Sequence, residues 1–208
     1  MSTKVTVIDY GIGNLHSVLK ALHHLGATVE LTGSPQRVAA ADHLVLPGVG
    51  AFSDGMKGLT ARGLAEPIAR ACEAGRPFLG ICLGMQMLLS ESDEFGKHAG
   101  LGLISGRVVA IDAQGMKVPH VGWNHIAPPA GGSWPDTALD GTAPGTMFYF
   151  VHSFVAAPSD PKHRLAETPF GNQKLCAAVK RDNITGFQFH PEKSGPAGLA
   201  LLSRFLSA

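Results

Sequence analysis

The chain has 208 residues, 45% of them hydrophobic, and its 17 basic and 16 acidic side chains leave a formal net charge of +1. This length and apolar content suffice for a sizeable core, so we expect a single domain over residues 1–208 rather than two. The sequence has no basic run and no interleaving of aromatic and basic residues, which argues against a nucleic acid or an anionic membrane as partner. No apolar stretch reaches the roughly 18 residues that cross a bilayer.

Three widely spaced cysteines, Cys72, Cys82 and Cys176, indicate neither a disulfide framework nor a zinc site. The histidines form no H-x-x-x-H or H-E-x-x-H pattern, so we predict no metal and no other cofactor. Met1 leads directly into a strand-like segment, without the pattern of a signal peptide. Free thiols and this start together favour the reducing cytoplasm as the location.

The first half of the chain alternates strand and helix patterns. Apolar runs at 4–9, 29–31, 43–46 and 78–81 predict buried strands, and the segments between them contain helical patterns. This alternation predicts an α/β fold with an open, mostly parallel, doubly wound sheet and helices on both faces. The pair Gly11-x-Gly13 follows the first strand, but His16 stands where a dinucleotide fingerprint needs its third glycine.

The second half has a different texture. A glycine-rich stretch at 96–106 predicts a loop, and residues 127–145 predict a surface excursion rich in proline, glycine and threonine. Strand patterns cover 107–111, 147–154, 175–180 and 184–189, and the last two suit a hairpin around Asp182-Asn183. We therefore expect an antiparallel extension of the sheet, followed by a final helix that Ser194 caps.

Cys82 lies where a buried strand is predicted to become a helix that continues to about residue 90. Gly80 and Gly84 flank it as glycines flank the serine of a G-x-S-x-G nucleophile elbow, which allows a sharp turn that exposes the thiol. The N–H groups at the start of the helix favour a thiolate and can help to hold an oxyanion. Taken alone, the pattern also fits an inert buried cysteine.

A histidine and a carboxylate near the C-terminus favour the catalytic interpretation of Cys82. Pro191 biases His190 toward extended backbone, where residues two apart project to the same side, so Glu192 is expected to face the imidazole. A thiol is weakly ionised at neutral pH and needs a base, and the base needs an orienting group. Cys82, His190 and Glu192 supply this set.

The loop Pro47-Gly48-Val49-Gly50 follows the third predicted strand. In an open parallel sheet, ligands bind beyond the carboxyl ends of the strands, where this loop and Cys82 would both lie. Glycines allow backbone N–H groups to approach a ligand closely, so the loop is a candidate oxyanion donor; an ordinary turn is the alternative.

Three motifs in this order make the chain resemble the class I (triad) glutamine amidotransferases: Pro-Gly-Val-Gly, Gly-Ile-Cys-Leu-Gly-Met-Gln and Gln-Phe-His-Pro-Glu-Lys-Ser. Within that family it is similar to the glutaminase subunits of imidazole glycerol phosphate synthases, on the stretches at 9–15, 119–124 and 148–153. The resemblance runs almost from end to end and carries with it the family's α/β fold.

The resemblance implies a role for each matching position. Cys82 would be the nucleophile, His190 the base and then the acid for departing ammonia, and Glu192 the orienting residue. The implied oxyanion hole consists of Gly48, Val49, Gly50 and Leu83. The implied glutamine contacts are Gln86, Ser153 and Phe154. The positions implied at the partner interface and ammonia exit are Asn14, Trp123 and Asn124. Phe154 departs from the tyrosine that the family commonly has there.

The resemblance also implies a reaction and a partner. L-glutamine would be hydrolysed through a cysteine thioester to glutamate and ammonia. The ammonia would pass to a (β/α)8 cyclase subunit, in a heterodimer that makes imidazole glycerol phosphate and AICAR in histidine biosynthesis.

Two alternatives stay open on the residues alone. One is another triad enzyme of this fold, such as the glutaminase of pyridoxal phosphate synthase or a stand-alone thiol hydrolase, which the Gly-Trp-Asn stretch disfavours. The other is a non-catalytic binding module that keeps the fold, which an intact set of Cys82, His190 and Glu192 disfavours.

Overall fold

A computed structural model of the chain describes residues 2–13 and 15–208. Asn14, which the resemblance assigns to the partner interface, lies outside the described residues. The strands are β1 Lys4–Ile8, β2 Thr28–Thr32, β3 Leu44–Gly48, β4 Phe78–Cys82, β5 Leu89–Ser92, β6 His98–Ala99, β7 Ile104–Ala110, β8 His120–His125, β9 Met147–His152, β10 Phe154–Pro158, β11 Arg164–Phe170, β12 Gln173–Arg181 and β13 Ile184–Phe187. The helices are α1 Leu15–His24, α2 Pro35–Ala39, α3 Phe52–Ala61, α4 Ala65–Glu73, α5 Leu83–Met87 and α6 Gly195–Leu206, with single 3-10 turns at Pro161–His163 and Pro191–Lys193.

The main sheet has the strand order β11-β12-β13-β4-β3-β1-β2. The strands from β13 to β2 are parallel to their neighbours, and β12 and β11 extend the sheet as antiparallel strands. This confirms the predicted α/β fold with its mostly parallel sheet and antiparallel extension. The arrangement places the carboxyl ends of β3, β4 and β13 side by side, at one edge of the sheet.

Side chains that alternate along each central strand fill two core layers. Val45 and Leu79 point into the layer that α1 and α6 cover, whereas Leu44, Leu46 and Phe78 point into the layer that α2, α3 and α4 cover. Such strands are buried on both faces, which is why they are nearly continuous apolar runs in the sequence. The predicted helices on both faces of the sheet are therefore confirmed.

The helix after Cys82 is shorter than expected. It ends at Met87, and β5 begins at Leu89, so the prediction of a helix to about residue 90 is wrong. The backbone carbonyls of Met87, Leu88 and Leu89 instead accept hydrogen bonds from Leu101, Ile104 and Gly102. These long-range bonds convert a helix-compatible apolar run into a strand, because short apolar runs fit either structure.

A second sheet of order β10-β7-β5-β6 and a two-stranded ribbon of β8 and β9 lie beside the main sheet. The predicted strand at 147–154 is in fact two strands, since β9 pairs with β8 and β10 pairs with β7. The predicted loop at 96–106 includes β6 and the first residues of β7. Ser153 stands between the two strands, at the edge of the cavity described below.

Within the described parts of the chain, no helix is long and apolar enough to cross a membrane. No group of three or more metal-ligating side chains gathers there either. Cys72, Cys82 and Cys176 are all buried free thiols.

Candidate active site

Cys82 occupies the sharp turn between β4 and α5. Its backbone has φ 54° and ψ −109°, a conformation that side-chain-bearing residues rarely adopt and that persists only where the surroundings enforce it. The turn is tight because a Cβ on Gly84 would lie 1.8 Å from the carbonyl oxygen of Leu46, and one on Gly80 would lie 2.8 Å from the backbone of Gly84. The glycines at 80 and 84 therefore allow β3, β4 and α5 to pack in contact.

The thiol is largely buried, with only 7% of Cys82 exposed, but it borders a cavity of about 590 Å³. The sequence predicted an exposed thiol; the structure makes it accessible from this cavity rather than from the open surface. Side chains from the main sheet, the second sheet and the ribbon line the cavity together. Its lining includes Val49, Gly50, Cys82, Leu83, Gln86, Glu94, Phe95, Val151, His152, Ser153 and Phe154.

His190 and Glu192 form a buried pair beside Cys82. The His190 Nδ1 atom lies 2.7 Å from Glu192 Oε1, and both side chains are 2% exposed. Glu192 reaches the imidazole from the 3-10 turn Pro191–Lys193, so the prediction of extended backbone at both residues is wrong for Glu192. His190 itself is extended, with φ −100° and ψ 94°.

The second ring nitrogen of His190, Nε2, lies close to Cys82. Among the described residues, Nε2 has no hydrogen-bond partner and is buried. Burial by itself lowers the pKa of His190, but the nearby Cys82 and the Glu192 carboxylate outweigh it and raise the pKa to about 9. At neutral pH this pKa favours the imidazolium form of His190, held by Glu192 close to Cys82.

The segment that carries His190 is fixed to β9. The His190 N–H donates to the Tyr149 carbonyl at 2.9 Å, and the Tyr149 N–H donates to Ser194 Oγ at 3.0 Å. The Ser194 hydroxyl in turn donates to the His190 carbonyl at 2.6 Å. Ser194 does occupy the N-cap position of α6, but its side chain makes no bond to that helix and instead holds the histidine segment.

The Gly48-Val49-Gly50 loop meets the Cys82 turn across the sheet. Gly48 is in register with Cys82 in the pairing of β3 with β4, and Val49 and Gly50 line the cavity. Gly50 has φ +96°, in the region that favours glycine. The buried Tyr10 hydroxyl donates to the Pro47 carbonyl at 2.8 Å and supports the loop from behind, a contact the sequence did not predict.

Gln86 lies one turn beyond Cys82 and reaches the cavity. Its Nε2 donates to the Phe154 carbonyl at 3.0 Å and to Gln188 Oε1 at 3.1 Å. Gln188 was not singled out by the sequence, although it stands within the motif that contains His190. Its own Nε2 lies 3.7 Å from the Cys82 sulfur.

Glu94 is a second residue that the sequence did not reveal. Its carboxylate lines the cavity, is 9% exposed, and accepts a hydrogen bond of 2.5 Å from the Phe52 N–H at the start of α3. No local sequence pattern marks Glu94, because it follows β5 and reaches the cavity only when the second sheet has formed.

The ribbon presents Trp123 and Asn124 on opposite faces. Trp123 is 53% exposed and its ring packs edge-on at 6.3 Å from Tyr149, so it is not a core residue. Asn124 points inward and donates to the Pro169 carbonyl at 2.8 Å. The Asn124 side chain therefore does not share the outward face with Trp123.

Comparison with known families assigns a class to this fold and site. The pattern that defines the family "Glutamine amidotransferase class-I" matches residues 6–208. The chain belongs to the class-I glutamine amidotransferase family.

Curated relatives place it more narrowly. It is 50% identical to imidazole glycerol phosphate synthase subunit HisH 1 of Legionella pneumophila (strain Lens), over 98% of this chain and 99% of that protein. It is 49% identical to the HisH subunit of Syntrophotalea carbinolica, over 97% of this chain and 98% of the relative. Within the family, the chain belongs to the HisH glutaminase subunits of imidazole glycerol phosphate synthase.

A solved structure bears on the fold alone. The structure of PurLQS from Thermotoga maritima superposes with a TM-score of 0.76 at 20% identity, covering 100% of this chain and 99% of the other.

Proposed function

We propose that this chain hydrolyses glutamine with Cys82 as nucleophile, His190 as base and acid, and Glu192 as the residue that orients the imidazole. The observation that carries the proposal is the buried contact of 2.7 Å between His190 and Glu192, which leaves Nε2 for the sulfur beside the cavity. These are the parts that an activated nucleophile requires: a base next to it, and a third group behind the base.

The reaction begins with the Cys82 thiolate attacking the side-chain amide carbon of glutamine. A C–S bond forms, the C–N bond breaks, and the proton on His190 Nε2 leaves with the nitrogen as ammonia. Water then attacks the thioester while its proton passes to His190, the C–S bond breaks, and glutamate departs from the regenerated thiolate. His190 therefore serves as acid in the first half and as base in the second.

The oxyanion formed in both halves is assigned to backbone donors. The Leu83 N–H opens α5 directly after the nucleophile, and the Gly48-Val49-Gly50 segment faces it from β3. Donors fixed at a developing negative charge stabilise the transition state without reorganising.

The rest of the cavity suits the amino-acid end of glutamine. Both N–H groups of Gln86 are already used, so its Oε1 remains to accept a bond from the substrate. The Glu94 carboxylate is suited to the substrate's ammonium group, and Ser153 and Phe154 line the same cavity. Phe154 has no hydroxyl, so it supports substrate through its backbone and ring only.

We further propose that the ribbon receives the cyclase subunit, a (β/α)8 barrel. Val121, Trp123, Met147 and Val151 are exposed large apolar residues of this ribbon, and the Val151 carbonyl lies 3.9 Å from the Cys82 sulfur. A subunit seated there would collect ammonia within a few residues of its origin, before water could protonate it. Trp123 and the backbone of Asn124 would border the exit, with Asn14 as a further interface residue.

The single-domain organisation over 1–208 and the cytoplasmic location are part of the same proposal. Both core layers share the central sheet, and the three buried free thiols suit a reducing compartment.

The test is glutamate release from glutamine with and without the cyclase subunit and its nucleotide ligand. We expect release that depends on the cyclase and that falls by at least about a thousandfold in Cys82→Ala. Full turnover in Cys82→Ala would remove the assigned nucleophile. Turnover indifferent to the cyclase would favour a stand-alone thiol hydrolase.

A further inference from the structure

The Cys82 sulfur has a side-chain neighbour that the proposed mechanism has not used. Gln188 is 0% exposed, lies two residues before His190, and places its Nε2 3.7 Å from the sulfur. On another side, the Val151 carbonyl lies 3.9 Å from the same sulfur. A carbonyl oxygen can only accept, so it opposes a thiolate, whereas an amide N–H favours one.

The orientation of the Gln188 amide follows from its neighbours, independently of how its oxygen and nitrogen are assigned. The Phe154 carbonyl is an acceptor, so the Gln86 atom 3.0 Å away must be the NH₂ group. The second hydrogen of that NH₂ points at Gln188, 3.1 Å away, which must therefore present its oxygen. The NH₂ group of Gln188 is left at the other end of the amide, facing the sulfur.

A pair of buried histidines belongs to the same hydrogen-bond network and also bonds to the Phe154 carbonyl. His152 Nδ1 donates to the Phe154 carbonyl at 2.8 Å, so its Nε2 accepts from His120 Nδ1 at 3.0 Å. His120 Nε2 then accepts from Asn124 Nδ2 at 3.1 Å. Each of these hydrogen bonds determines the tautomer of the next histidine. Burial lowers the pKa of both histidines, so both rings stay neutral, as this hydrogen-bond network requires.

We propose that Gln188 is a further catalytic residue, whose amide N–H donates a hydrogen bond to the Cys82 sulfur and stabilises the thiolate. The proposal rests on the proposed role of Cys82 as nucleophile. The bond is strongest when the sulfur is charged and weakens in the neutral thioester. It therefore supports both the attacking thiolate and the thiolate that leaves when water cleaves the thioester.

The test is alkylation of Cys82 by iodoacetamide in the full chain, followed across pH, in wild type, Gln188→Met and Gln188→Glu. Gln188→Met keeps the length and loses the donor, and we expect alkylation at neutral pH to slow about tenfold with a midpoint about one pH unit higher. Gln188→Glu keeps the shape, replaces the donor by an acceptor, and is expected to move the midpoint in the same direction and further. Thr168→Val is the matched control, because it removes a buried hydroxyl that has no partner in the described residues, and it should leave the profile unchanged.

Circular dichroism and thermal unfolding verify that each variant is folded before the profiles are compared. A folded Gln188→Met or Gln188→Glu chain with the wild-type midpoint would overturn the proposal and leave Gln188 as a packing residue. Glutaminase kinetics supply the second readout, with kcat expected to fall and KM to change little. Activity that survives in Cys82→Ala would contradict the proposed function instead, and it is measured separately from the alkylation profile.

Discussion

The backbone of Cys82 stands in a region that glycine tolerates and other residues rarely enter, with φ 54° and ψ −109°. Such a conformation costs on the order of 1–3 kcal/mol and is retained where function needs the side chain. At most buried positions alanine is more stable than glycine, since glycine loses more backbone freedom on folding. At residue 82 the strain should reverse that order.

We therefore predict that the free energy of unfolding of Cys82→Gly is about 1 kcal/mol higher than that of Cys82→Ala. We expect both variants to be inactive. Chemical denaturation measures the difference. The control is Cys72, a buried free cysteine inside α4, where the alanine variant should exceed the glycine variant by about 1 kcal/mol. The same order at both positions would show that the turn is not strained.

The pH dependence of stability tests the buried hydrogen-bond network that contains His152 and His120. Burial lowers the pKa of His152 to about 3, so between pH 6.5 and 3 the unfolded chain binds a proton that the folded chain does not. The free energy of unfolding should consequently fall as pH decreases below 6.5, with a contribution of up to roughly 1.4 kcal/mol per pH unit from this residue. Denaturation of His152→Gln at several pH values should show a shallower dependence, and His16→Gln, at an exposed position, should match wild type. An unchanged slope in His152→Gln would contradict the buried neutral assignment.

At the scale of elements, the turn depends on contact between backbones. A Cβ on Gly84 would lie 1.8 Å from the Leu46 carbonyl oxygen, so β3 and α5 would have to separate. We predict that Gly84→Ala loses about 3 kcal/mol of stability, together with glutaminase activity. Gly26→Ala is the control, since φ there is +79° but nothing lies within 4 Å of the added carbon; it should cost about 1 kcal/mol and keep activity. Equal losses would refute the packing explanation.

The elements that sequence patterns predicted are those with local causes. Nearly continuous apolar runs identified β3 and β4, because strands buried on both faces have that composition. The end of α5 at Met87 and the division of 147–154 into β9 and β10 were missed, because partners distant in sequence decide both. No local pattern contains that information.

The residues of the candidate site also separate into those that local motifs predicted and those that only long-range contacts reveal. Spacing and turn chemistry singled out Cys82, His190 and Glu192, because each stands in a short motif, and the structure brings His190 and Glu192 within 2.7 Å. Gln188 and Glu94 escaped notice because their contacts to Cys82 and to the start of α3 exist only once distant segments meet. Ser194 was recognised as a cap, while its bond to the His190 carbonyl was not.

At the scale of the whole molecule, the ribbon of β8 and β9 connects an exposed apolar face with the Cys82 sulfur. Val121 pairs with Val151 and Trp123 with Tyr149, and the Val151 carbonyl lies beside the Cys82 sulfur. Exposed apolar residues grouped in this way mark interaction surfaces. The ribbon is thus the part of the chain through which a bound subunit could influence the cavity.

We predict that Trp123→Asp weakens association with the cyclase subunit at least about tenfold, because aromatic residues dominate such interfaces. Titration calorimetry gives the affinity. Leu31→Asp is the control: Leu31 is also an exposed large apolar residue, 42% exposed, but it lies on β2 at the far edge of the main sheet. Wild-type affinity in Trp123→Asp, or an equal loss in Leu31→Asp, would remove the ribbon as the docking face.

We infer that the sulfur of Cys82 attacks glutamine with help from His190. The most direct measurement is labelling of the chain, in the presence of the cyclase subunit, by a diazoketone analogue of glutamine, with peptide mass mapping of the adduct. We expect one adduct, on Cys82, which forms much more slowly in His190→Ala and is absent in Cys82→Ala. An adduct on a different residue, or labelling of Cys82 at the wild-type rate in His190→Ala, would contradict it.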